Sequence, residues 1–489
     1  MLQWLCATFL IAAAQNTGKP NIVFVLTDDQ DLVLGGMDPM QKTVNLIGKQ
    51  GITFDNAFVS VPICCPSRSS ILTGKFLHNH GTINNTIEGG CSSTSWQQTQ
   101  EPEAFSVYLQ QQGYTTLYAG KYLNRYGFDA VGGVAHVPPG WDFWYGLVGN
   151  SVYYDYKLSV NGTLETHGHD YLEDYLTDLI VSPLDNTNRK AQDFLDKLRD
   201  DSPPFFLMLS TPACHEPFPS APQYSHFYRS AQAPRDHGSF NVKAQDKHWL
   251  MEQPIIPILR TLLSVDDMVE DVYNTLRRKN LLDNTYIFFT SDHGYHLGQF
   301  GLPYDKREPY EFDIRVPMMV KGPGVKPGLV SQESPMNIDL GPTFIALAGG
   351  AVPPQMDGKS MVPLWQDPSS AQNFRPNVLV EYSGEGKQTI PNCPQLEGQD
   401  VFNCNYLAHC VCEDAWNNTW SCVRVTSDQS IYKYCEFVDN ENFVELYEIN
   451  SDPWELTNLA KTANPALVQT LKHELSTLKA CAGSTCNTQ

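Results

Sequence analysis

The chain has 489 residues, of which 42% are hydrophobic and 18% charged. This composition is typical of globular proteins and excludes a largely disordered chain. The net charge of −21 argues against nucleic-acid binding, which needs a basic surface. The length allows two or three domains, and we expect a division into residues 1–14, 15–370 and 371–489.

The first 14 residues form a short apolar block that ends in three alanines. This pattern predicts a secretory signal peptide, although no Lys or Arg precedes the apolar stretch; an apolar first strand or helix is the alternative. Beyond it, no apolar run is long enough to form a transmembrane segment. Three glycosylation sequons, at Asn84, Asn161 and Asn417, agree with passage through the secretory pathway.

Short continuous apolar runs predict buried strands at 22–26, 205–209, 286–289 and 317–320. Between them, apolar residues at helical spacing predict helices, including 187–199 and 259–281. This alternation favours an α/β fold with a mostly parallel sheet covered by helices on both faces. In such sheets, ligands bind beyond the carboxyl ends of the strands.

Polar residues directly follow three of these strands. Asp28 and Asp29 follow the first, a loop with His215 the second, and Asp292 with His293 the third. The three carboxylates of these two pairs, if they converge at one sheet edge, would repel unless a cation lies between them, and oxygen ligands favour Ca²⁺ or Mg²⁺. A single Asp-Asp pair is more often a cap or turn, so the metal site depends on both pairs.

Residues 64–74 read Cys-Cys-Pro-Ser-Arg-Ser-Ser-Ile-Leu-Thr-Gly. Pro66 and Gly74 predict the start and end of a helix, whose first turn would direct free N–H groups at an anion beside Cys64. A cysteine that is buried or half of a disulfide is the alternative. The run resembles the signature of the sulfatase family, in which the first cysteine is oxidised to the aldehyde formylglycine.

This resemblance implies one metal ion per chain, calcium rather than magnesium. Its ligands would be Asp28, Asp29, Asp292, His293 and the modified Cys64. Some relatives have asparagine in place of His293, and an imidazole is the poorer calcium ligand of the two. In the family, the hydrated aldehyde attacks sulfur through one hydroxyl, and the other hydroxyl later releases sulfate, which a serine nucleophile could not do.

The resemblance also assigns catalytic roles. Arg68 would brace the hydrated aldehyde, and Lys121 and Lys306 would stabilise charge on the sulfate oxygens, although a single lysine in a loop is usually only solvated. His215 would donate a proton to the leaving alcohol. Many relatives have a second histidine two residues after the first lysine, where this chain has Leu123.

Other histidines and aromatic residues lie close in sequence to these motifs. His78, His80 and His296 are surface or capping residues or, alternatively, contacts to a sugar. The aromatic run at 141–145 is expected in the core rather than in a sugar site.

After about residue 370, the sequence predicts a smaller α+β domain with an antiparallel sheet. A strand at 376–382 precedes a segment rich in Cys, Asn and Gly, and strands at 420–425, 430–436 and 442–448 precede a helix at 465–479. Eight of the 13 cysteines follow residue 390, which indicates disulfides formed in an oxidising compartment. Without Cys6 and Cys64, 11 remain, so at least one thiol is free; Cys65 and Cys214 are the candidates.

A finer resemblance, to the lysosomal N-acetylglucosamine-6-sulfatases, comes from residues 27–37, 78–80, 120–124, 337–343 and 410–415. It implies an alkaline-phosphatase-like α/β sandwich with a smaller C-terminal domain. It also implies removal of the 6-O-sulfate from terminal N-acetylglucosamine 6-sulfate in heparan sulfate and keratan sulfate, in the lysosome. The implied partners are the sulfated glycosaminoglycan and the formylglycine-generating enzyme; a homodimer is left open.

Three alternatives remain. An extracellular heparan sulfate 6-O-endosulfatase would be secreted and would carry a long basic insertion, which is absent from this sequence. A phosphatase or phosphodiesterase of the same superfamily would have Ser or Thr in place of Cys64. A non-catalytic, glycan-binding relative would keep Cys64 as a thiol.

Overall fold

The structure is a computed structural model, which describes residues 18–180, 194–195, 197–199, 202–231, 255–369, 371–387, 390, 392–405, 410–427 and 429–487. The predicted signal peptide at 1–14 and most of the predicted helix at 187–199 lie outside the described residues. Within the described ranges, no helix combines the length and the apolar character that a membrane span needs.

The strands and helices confirm most of the predicted elements. The strands are β1 (Asn21–Thr27), β2 (Ile52–Phe58), β3 (Thr115–Lys121), β4 (Phe143–Leu147), β5 (Lys157–Val160), β6 (Thr163–Thr166), β7 (Phe205–Ser210), β8 (Thr285–Ser291), β9 (His296–Leu297), β10 (Tyr304–Asp305), β11 (Arg315–Lys321), β12 (Leu329–Ser331), β13 (Asn377–Tyr382), β14 (Val401–Asn405), β15 (Val411–Ala415), β16 (Trp420–Thr426), β17 (Ile431–Phe437) and β18 (Val444–Glu448). The α-helices are α1 (Gln41–Thr43, continued by a π-helical turn, Val44–Gly48), α2 (Cys64–Thr73), α3 (Leu77–His80), α4 (Thr94–Thr99), α5 (Phe105–Gln111), α6 (Leu172–Ile180), α7 (Ile255–Arg278), α8 (Glu311–Ile314), α9 (Leu340–Leu347), α10 (Pro363–Gln366) and α11 (Pro465–Lys479).

Ten of the described strands form one mixed sheet in the spatial order β12-β2-β11-β8-β1-β7-β3-β4-β5-β6. Its centre, β8-β1-β7-β3-β4, is parallel throughout. β11, predicted as a further strand of a parallel arrangement, instead runs antiparallel to both β8 and β2. No long crossover helix separates β8 from β11, so the chain re-enters the sheet from the edge at which β8 ends.

Helices cover both faces of the large sheet, as the alternating elements predict. On β1, Ile22, Phe24 and Leu26 join one hydrophobic cluster, with residues of α2, α5 and α9, whereas Val23 and Val25 join a second cluster, with α6 and α7. Successive side chains of a strand point to opposite faces, so a strand that is apolar throughout, like β1, has to be covered on both sides. The fold is therefore an α/β sandwich.

A second, four-stranded sheet with the order β13-β16-β17-β18 follows, and all its pairings are antiparallel. Leu471, Leu475 and Leu478 of α11 are buried in the same cluster as Val378 of β13 and Val423 of β16. This region is the predicted smaller sheet domain. The predicted domain boundary at residue 370 falls between α10 and β13 and stays a prediction.

Disulfides account for most of the described cysteines. Cys65 was a candidate for a free thiol, and this prediction is wrong because Cys65 pairs with Cys91; Cys214 is free. The other four bridges lie in the C-terminal region, as predicted: Cys393–Cys410, Cys404–Cys412, Cys422–Cys435 and Cys481–Cys486.

Candidate active site

The parallel strands bring the predicted polar residues to one edge of the sheet. Asp28 and Asp29 follow β1, Asp292 and His293 follow β8, and Lys121 is the last residue of β3. All five side chains are buried. The neighbouring strands end side by side, so residues far apart in sequence converge here without any long loop to place them.

Cys64 is the first residue of α2, as the sequence predicts. The helix is buried along its whole length and stops at Gly74, whose φ of 67° is in the left-handed region that glycine adopts freely. Ile63 offers no capping side chain; instead, Asn85 Oδ1 accepts a hydrogen bond from the backbone N–H of Cys65 at 2.9 Å. The Cys65–Cys91 bridge ties the same turn to the segment that contains Asn85.

Four of the predicted metal ligands form one buried group. Asp28, Asp29, Cys64 and His293 each offer a ligand atom, and these atoms lie within 4.8 Å of one another. Asp28 Oδ1 is buried and accepts no hydrogen bond; it lies 3.3 Å from Arg68 Nη2 and keeps a lone pair that a cation could use. Two carboxylates suit a hard divalent cation, and the residues fit a metal of this class.

Asp292 lies beside this group rather than within it. Its Oδ1 accepts hydrogen bonds from the backbone N–H of Asp29 at 3.1 Å and of His293 at 2.9 Å, and its Oδ2 lies 2.8 Å from Arg68 Nε. The Asp292 Oδ1 atom is 3.6 Å from His293 Nε2. Its role as a metal ligand stays a prediction.

Each carboxylate after β1 has a lysine of its own. Lys121 Nζ is 2.5 Å from Asp28 Oδ2, and Lys306 Nζ is 2.7 Å from Asp29 Oδ2. Burial raises the pKa of Asp28, but Lys121 and Arg68 more than offset this effect and lower its pKa well below the usual value. For Asp29, burial prevails over the attraction of Lys306 and raises the pKa.

Arg68 braces the carboxylates of the cluster. Besides its contact with Asp292, its Nη2 lies 3.3 Å from Asp28 Oδ1, and its Nη1 donates to the backbone oxygen of Lys121 at 2.9 Å and to Ser210 Oγ at 2.8 Å. Because this guanidinium is buried and held from several sides, it fixes the ends of β1, β3 and β8 relative to one another.

The electrostatics around Cys64 favour an anion. Burial opposes ionisation of the thiol, but Lys121 and Lys306 together prevail and lower the pKa of Cys64 to about 5. His293 Nε2 lies 3.3 Å from Cys64 Sγ. Burial lowers the pKa of His293, yet Asp292 and Cys64 raise it to about 9.

His215 lies in the loop after β7, partly buried at the rim of this cluster. Its Nδ1 is 2.6 Å from the backbone oxygen of Glu216, and burial together with Lys306 and Lys121 lowers its pKa. A neutral imidazole at the rim can exchange protons with solvent. Leu123 is fully buried, so the position at which many relatives have a second histidine belongs to the core here.

The structure adds two serines that the sequence analysis missed. Ser151 Oγ donates to Asp28 Oδ2 at 2.6 Å, and Ser210 Oγ donates to the backbone oxygen of Lys121 at 2.7 Å. Ser210 ends β7, so the rule that polar residues at strand ends line the site could have found it. Ser151 lies in the segment between β4 and β5 and has no comparable signal.

Of the three further histidines, two are buried and one is half-buried, and contact with a sugar stays a prediction. His80 is buried, its Nε2 is 3.0 Å from Ser70 Oγ, and burial lowers its pKa to about 3. His78 is half-buried against Glu381, and His296 is fully buried between two carboxylates. The aromatic run at 141–145 lies in the core as predicted, with Trp144 fully buried.

The three sequons differ in exposure. Asn161 and Asn417 are exposed, whereas Asn84 is buried and its Nδ2 donates to the backbone oxygen of Gly384 at 3.3 Å. Glycosylation stays a prediction at all three.

The Sulfatase family model matches residues 20–351. The chain is 49% identical to the N-acetylglucosamine-6-sulfatase of Capra hircus over 97% of its length and 86% of that protein. It is 48% identical to the Homo sapiens N-acetylglucosamine-6-sulfatase, over 98% of this chain and 88% of that protein. It is also 41% identical to the Drosophila melanogaster extracellular sulfatase SULF-1 homolog, over 75% of this chain but 33% of that protein.

Among solved structures, BT4656 in complex with its substrate D-glucosamine-2-N,6-O-disulfate superposes with a TM-score of 0.70 at 23% identity, over 94% of this chain and 97% of that one. The phosphonate monoester hydrolase of Silicibacter pomeroyi gives a TM-score of 0.62 at 18% identity, over 93% of both chains. At this level of identity, the two likenesses show the fold alone.

Proposed function

The chain belongs to the sulfatase family and is a sulfuric ester hydrolase, and from this premise we propose that it removes the 6-O-sulfate from N-acetylglucosamine 6-sulfate units of heparan sulfate and keratan sulfate. The observation that carries the proposal is the 48% identity to an N-acetylglucosamine-6-sulfatase over 98% of the chain. The buried group of Cys64, two aspartates and two lysines is the site at which this reaction would occur.

Sulfatases use a formylglycine and a divalent metal ion, and the residues for both are present. Formylglycine derived from Cys64 would supply the nucleophilic hydroxyl, and a divalent metal held by these residues would supply Lewis-acid polarisation and positive charge for the sulfate oxygens. We propose Ca²⁺ at Asp28, Asp29, Asp292, His293 and the modified Cys64, with Mg²⁺ as the less favoured ion. Conversion of the cysteine would replace its soft sulfur by oxygen, which suits calcium better.

Basic side chains at the sheet edge would bind the negatively charged sulfate group of the substrate. Lys121 and Lys306 place two ammonium groups next to Cys64, where a sulfate group would need compensating charge. Arg68, fixed between Asp28 and Asp292, keeps the carboxylates in place as charge changes nearby. His215 at the rim is the proposed proton donor to the leaving sugar oxygen, a role that needs its imidazolium form because its Nδ1 faces the Glu216 carbonyl.

The cellular setting follows from the same relatives. We propose the lysosome as the location, by resemblance to the lysosomal N-acetylglucosamine-6-sulfatases, with secretion as the alternative, and we propose that a formylglycine-generating enzyme acts on Cys64. An endosulfatase activity is the second candidate function, because an extracellular sulfatase is 41% identical to this chain. It is less favoured, since the sequence has no long basic insertion.

The test is the release of inorganic sulfate from oligosaccharides that end in N-acetylglucosamine 6-sulfate, compared with chains sulfated only at internal units. We expect release from the terminal unit alone; release from internal units would instead identify an endosulfatase. A mass spectrum of the peptide around Cys64 shows whether the cysteine was converted. Cys64→Ser should at best trap sulfate on the protein as an ester and not turn over, whereas Cys214→Ser, at the other free buried cysteine of the described residues, should keep its activity.

A further inference from the structure

His296 lies on the segment that connects a predicted metal ligand to Lys306. It follows His293 by three residues and begins β9, which pairs antiparallel with β10 so that His296 is opposite Asp305. Lys306 comes directly after β10. We call β9, β10 and the residues between them the lysine ribbon (296–305). The position of Lys306 Nζ, 2.7 Å from Asp29, depends on how this ribbon is held.

The side chain of His296 is enclosed by two carboxylates. Its Nδ1 lies 3.0 Å from both oxygens of Asp313, and its Nε2 lies 2.8 Å from Glu413 Oε1. A neutral imidazole has only one N–H, so ionised carboxylates on both sides favour the imidazolium, although burial raises the pKa of Glu413 to about 7. Burial lowers the pKa of His296, but Asp313 and Glu413 raise it well above the usual value. The ring is fully buried, which excludes direct contact with a substrate.

The two carboxylates belong to different parts of the fold. Asp313 lies in α8. The Asp313 backbone oxygen accepts a hydrogen bond from the backbone N–H of Gly294 at 2.8 Å, and the Phe312 backbone oxygen accepts one from the backbone N–H of Tyr295 at 3.0 Å. These two bonds hold the backbone immediately after His293. The contact at Gly294 is close, because a Cβ there would come within 2.0 Å of the Phe312 oxygen.

Glu413 lies in β15 of the C-terminal hairpin, which pairs with β14 and is bridged by Cys404–Cys412. The hairpin also touches the far end of the lysine ribbon. Asn403 Nδ2 donates to Asp305 Oδ2, and the guanidinium of Arg307 lies 5.2 Å from the centre of the Phe402 ring. His296 is therefore the charged group by which α8 and the hairpin are both attached to the ribbon.

We infer that His296 is a positioning residue for the sulfatase reaction: clamped between Asp313 and Glu413, it holds the lysine ribbon so that Lys306 reaches the sulfate site. The inference rests on the proposed function in one respect, namely that Lys306 binds the sulfate group. Loss of the imidazolium would leave two buried carboxylates facing each other without a cation, a costly arrangement. The hairpin and the ribbon would separate, and Lys306 would move from its place.

The test compares His296→Gln with a matched control, His136→Gln. His136 also pairs with a buried carboxylate, Glu101, at 2.8 Å, but takes no part in the site. For His296→Gln, we expect kcat/KM to fall by about 10–100-fold, the usual effect of residues that orient a site from behind. The inhibition constant for inorganic sulfate should rise in parallel. His136→Gln should stay within about twofold of the wild type in both.

The sulfate inhibition constant separates positioning from a merely structural role. A variant that is only less stable loses active molecules, but the remaining ones bind sulfate as before. An unchanged inhibition constant in His296→Gln would therefore overturn the inference. If the wild type releases no sulfate from N-acetylglucosamine 6-sulfate, the proposed substrate is wrong, and the inference is then decided by calorimetric binding of inorganic sulfate alone.

A second pair of variants applies if His296→Gln does not fold. Glu413→Gln keeps an oxygen that can accept from His296 Nε2, and Glu413→Ala does not. We expect Glu413→Gln to retain activity and sulfate binding within about threefold, and Glu413→Ala to lose about tenfold in each. Equal behaviour of the two variants would contradict a role for this contact.

Discussion

Asp28 and Asp29, at the carboxyl edge of the large sheet, each have a lysine of their own, whereas Asp313 and Glu413 share one histidine. The lysines at the sheet edge are the charge that a bound anion would meet. The histidine has both ring nitrogens facing protein carboxylates and offers nothing to a ligand. The two clusters therefore differ in role: the lysines at the sheet edge belong to the proposed substrate site, whereas His296 joins two parts of the fold.

The largest loss of activity is expected for Asp28→Asn at the sheet edge. The change removes a carboxylate that pairs with Lys121 and belongs to the candidate metal group. We expect sulfate-ester hydrolysis to fall by about 10³-fold and bound metal to fall with it, measured by kinetics and elemental analysis. Asp129→Asn, at an exposed aspartate, is the control, and equal losses in the two variants would contradict a metal role for Asp28.

A core substitution in the C-terminal region should affect stability rather than chemistry. Leu475 is fully buried in α11, whereas Leu456 is 47% exposed. We expect Leu475→Ala to reduce the free energy of unfolding by about 3 kcal/mol and Leu456→Ala by less than about 0.5 kcal/mol, both followed by thermal denaturation. At temperatures where both variants are folded, kcat should match the wild type. A loss of kcat without a change in thermal midpoint would show that α11 supports the sheet edge directly.

A smaller, pH-dependent effect is expected at His78. Its Nδ1 lies 2.7 Å from Glu381 Oε2 in β13, and its Nε2 lies 3.0 Å from the backbone oxygen of Cys481. Burial lowers the pKa of His78, but Glu381 and the Cys481 carbonyl raise it, with a smaller contribution from Asp357. The charged ring therefore joins α3 to two segments of the C-terminal region.

The sign of the pH dependence follows from the raised pKa of His78. The stabilisation is fully present below the unfolded pKa of about 6.5 and is lost as the pH rises through the folded value. We expect His78→Gln to lower stability by about 1 kcal/mol at pH 5.5 and by less at pH 8.5, measured by thermal denaturation at both values. A larger loss at the higher pH would refute this assignment of charge.

The smallest effect is expected at the sequons. Asn417 is exposed and its side chain is available at the surface, so Asn417→Gln should remove one glycan from the secreted protein without a change in activity. Asn84 Oδ1 accepts hydrogen bonds from Thr86, so Asn84→Gln should lower the thermal midpoint whether or not a glycan is attached. Intact mass and thermal denaturation distinguish the two effects.

The sequence predicts the sheet edge well because strand ends are local signals. Each of two buried apolar runs predicts a strand, and the polar pair that follows it, Asp28 with Asp29 or Asp292 with His293, predicts where the polar residues meet. Parallel pairing then brings them together with no further information. The same reasoning holds for His215 after β7.

Other features depend on contacts that no local pattern reports. The pairing of Cys65 with Cys91 requires knowledge of how the segment after α3 folds back on α2. The antiparallel direction of β11 depends on the path of residues 292–314. The enclosure of His296 requires Glu413, which is 117 residues away in sequence.

Cys64 and Cys65 are neighbours with different fates, and this has a consequence for the order of events during biosynthesis. Cys64 has no exposed surface, so another enzyme can reach its thiol only before α2 is packed into the fold. During the same interval, Cys91 has two adjacent thiols with which it can pair, and only pairing with Cys65 leaves Cys64 available for conversion. If Cys64 becomes formylglycine as proposed, the Cys65–Cys91 bridge is therefore the pairing that permits it, and a chain that pairs Cys91 with Cys64 would lack the proposed nucleophile.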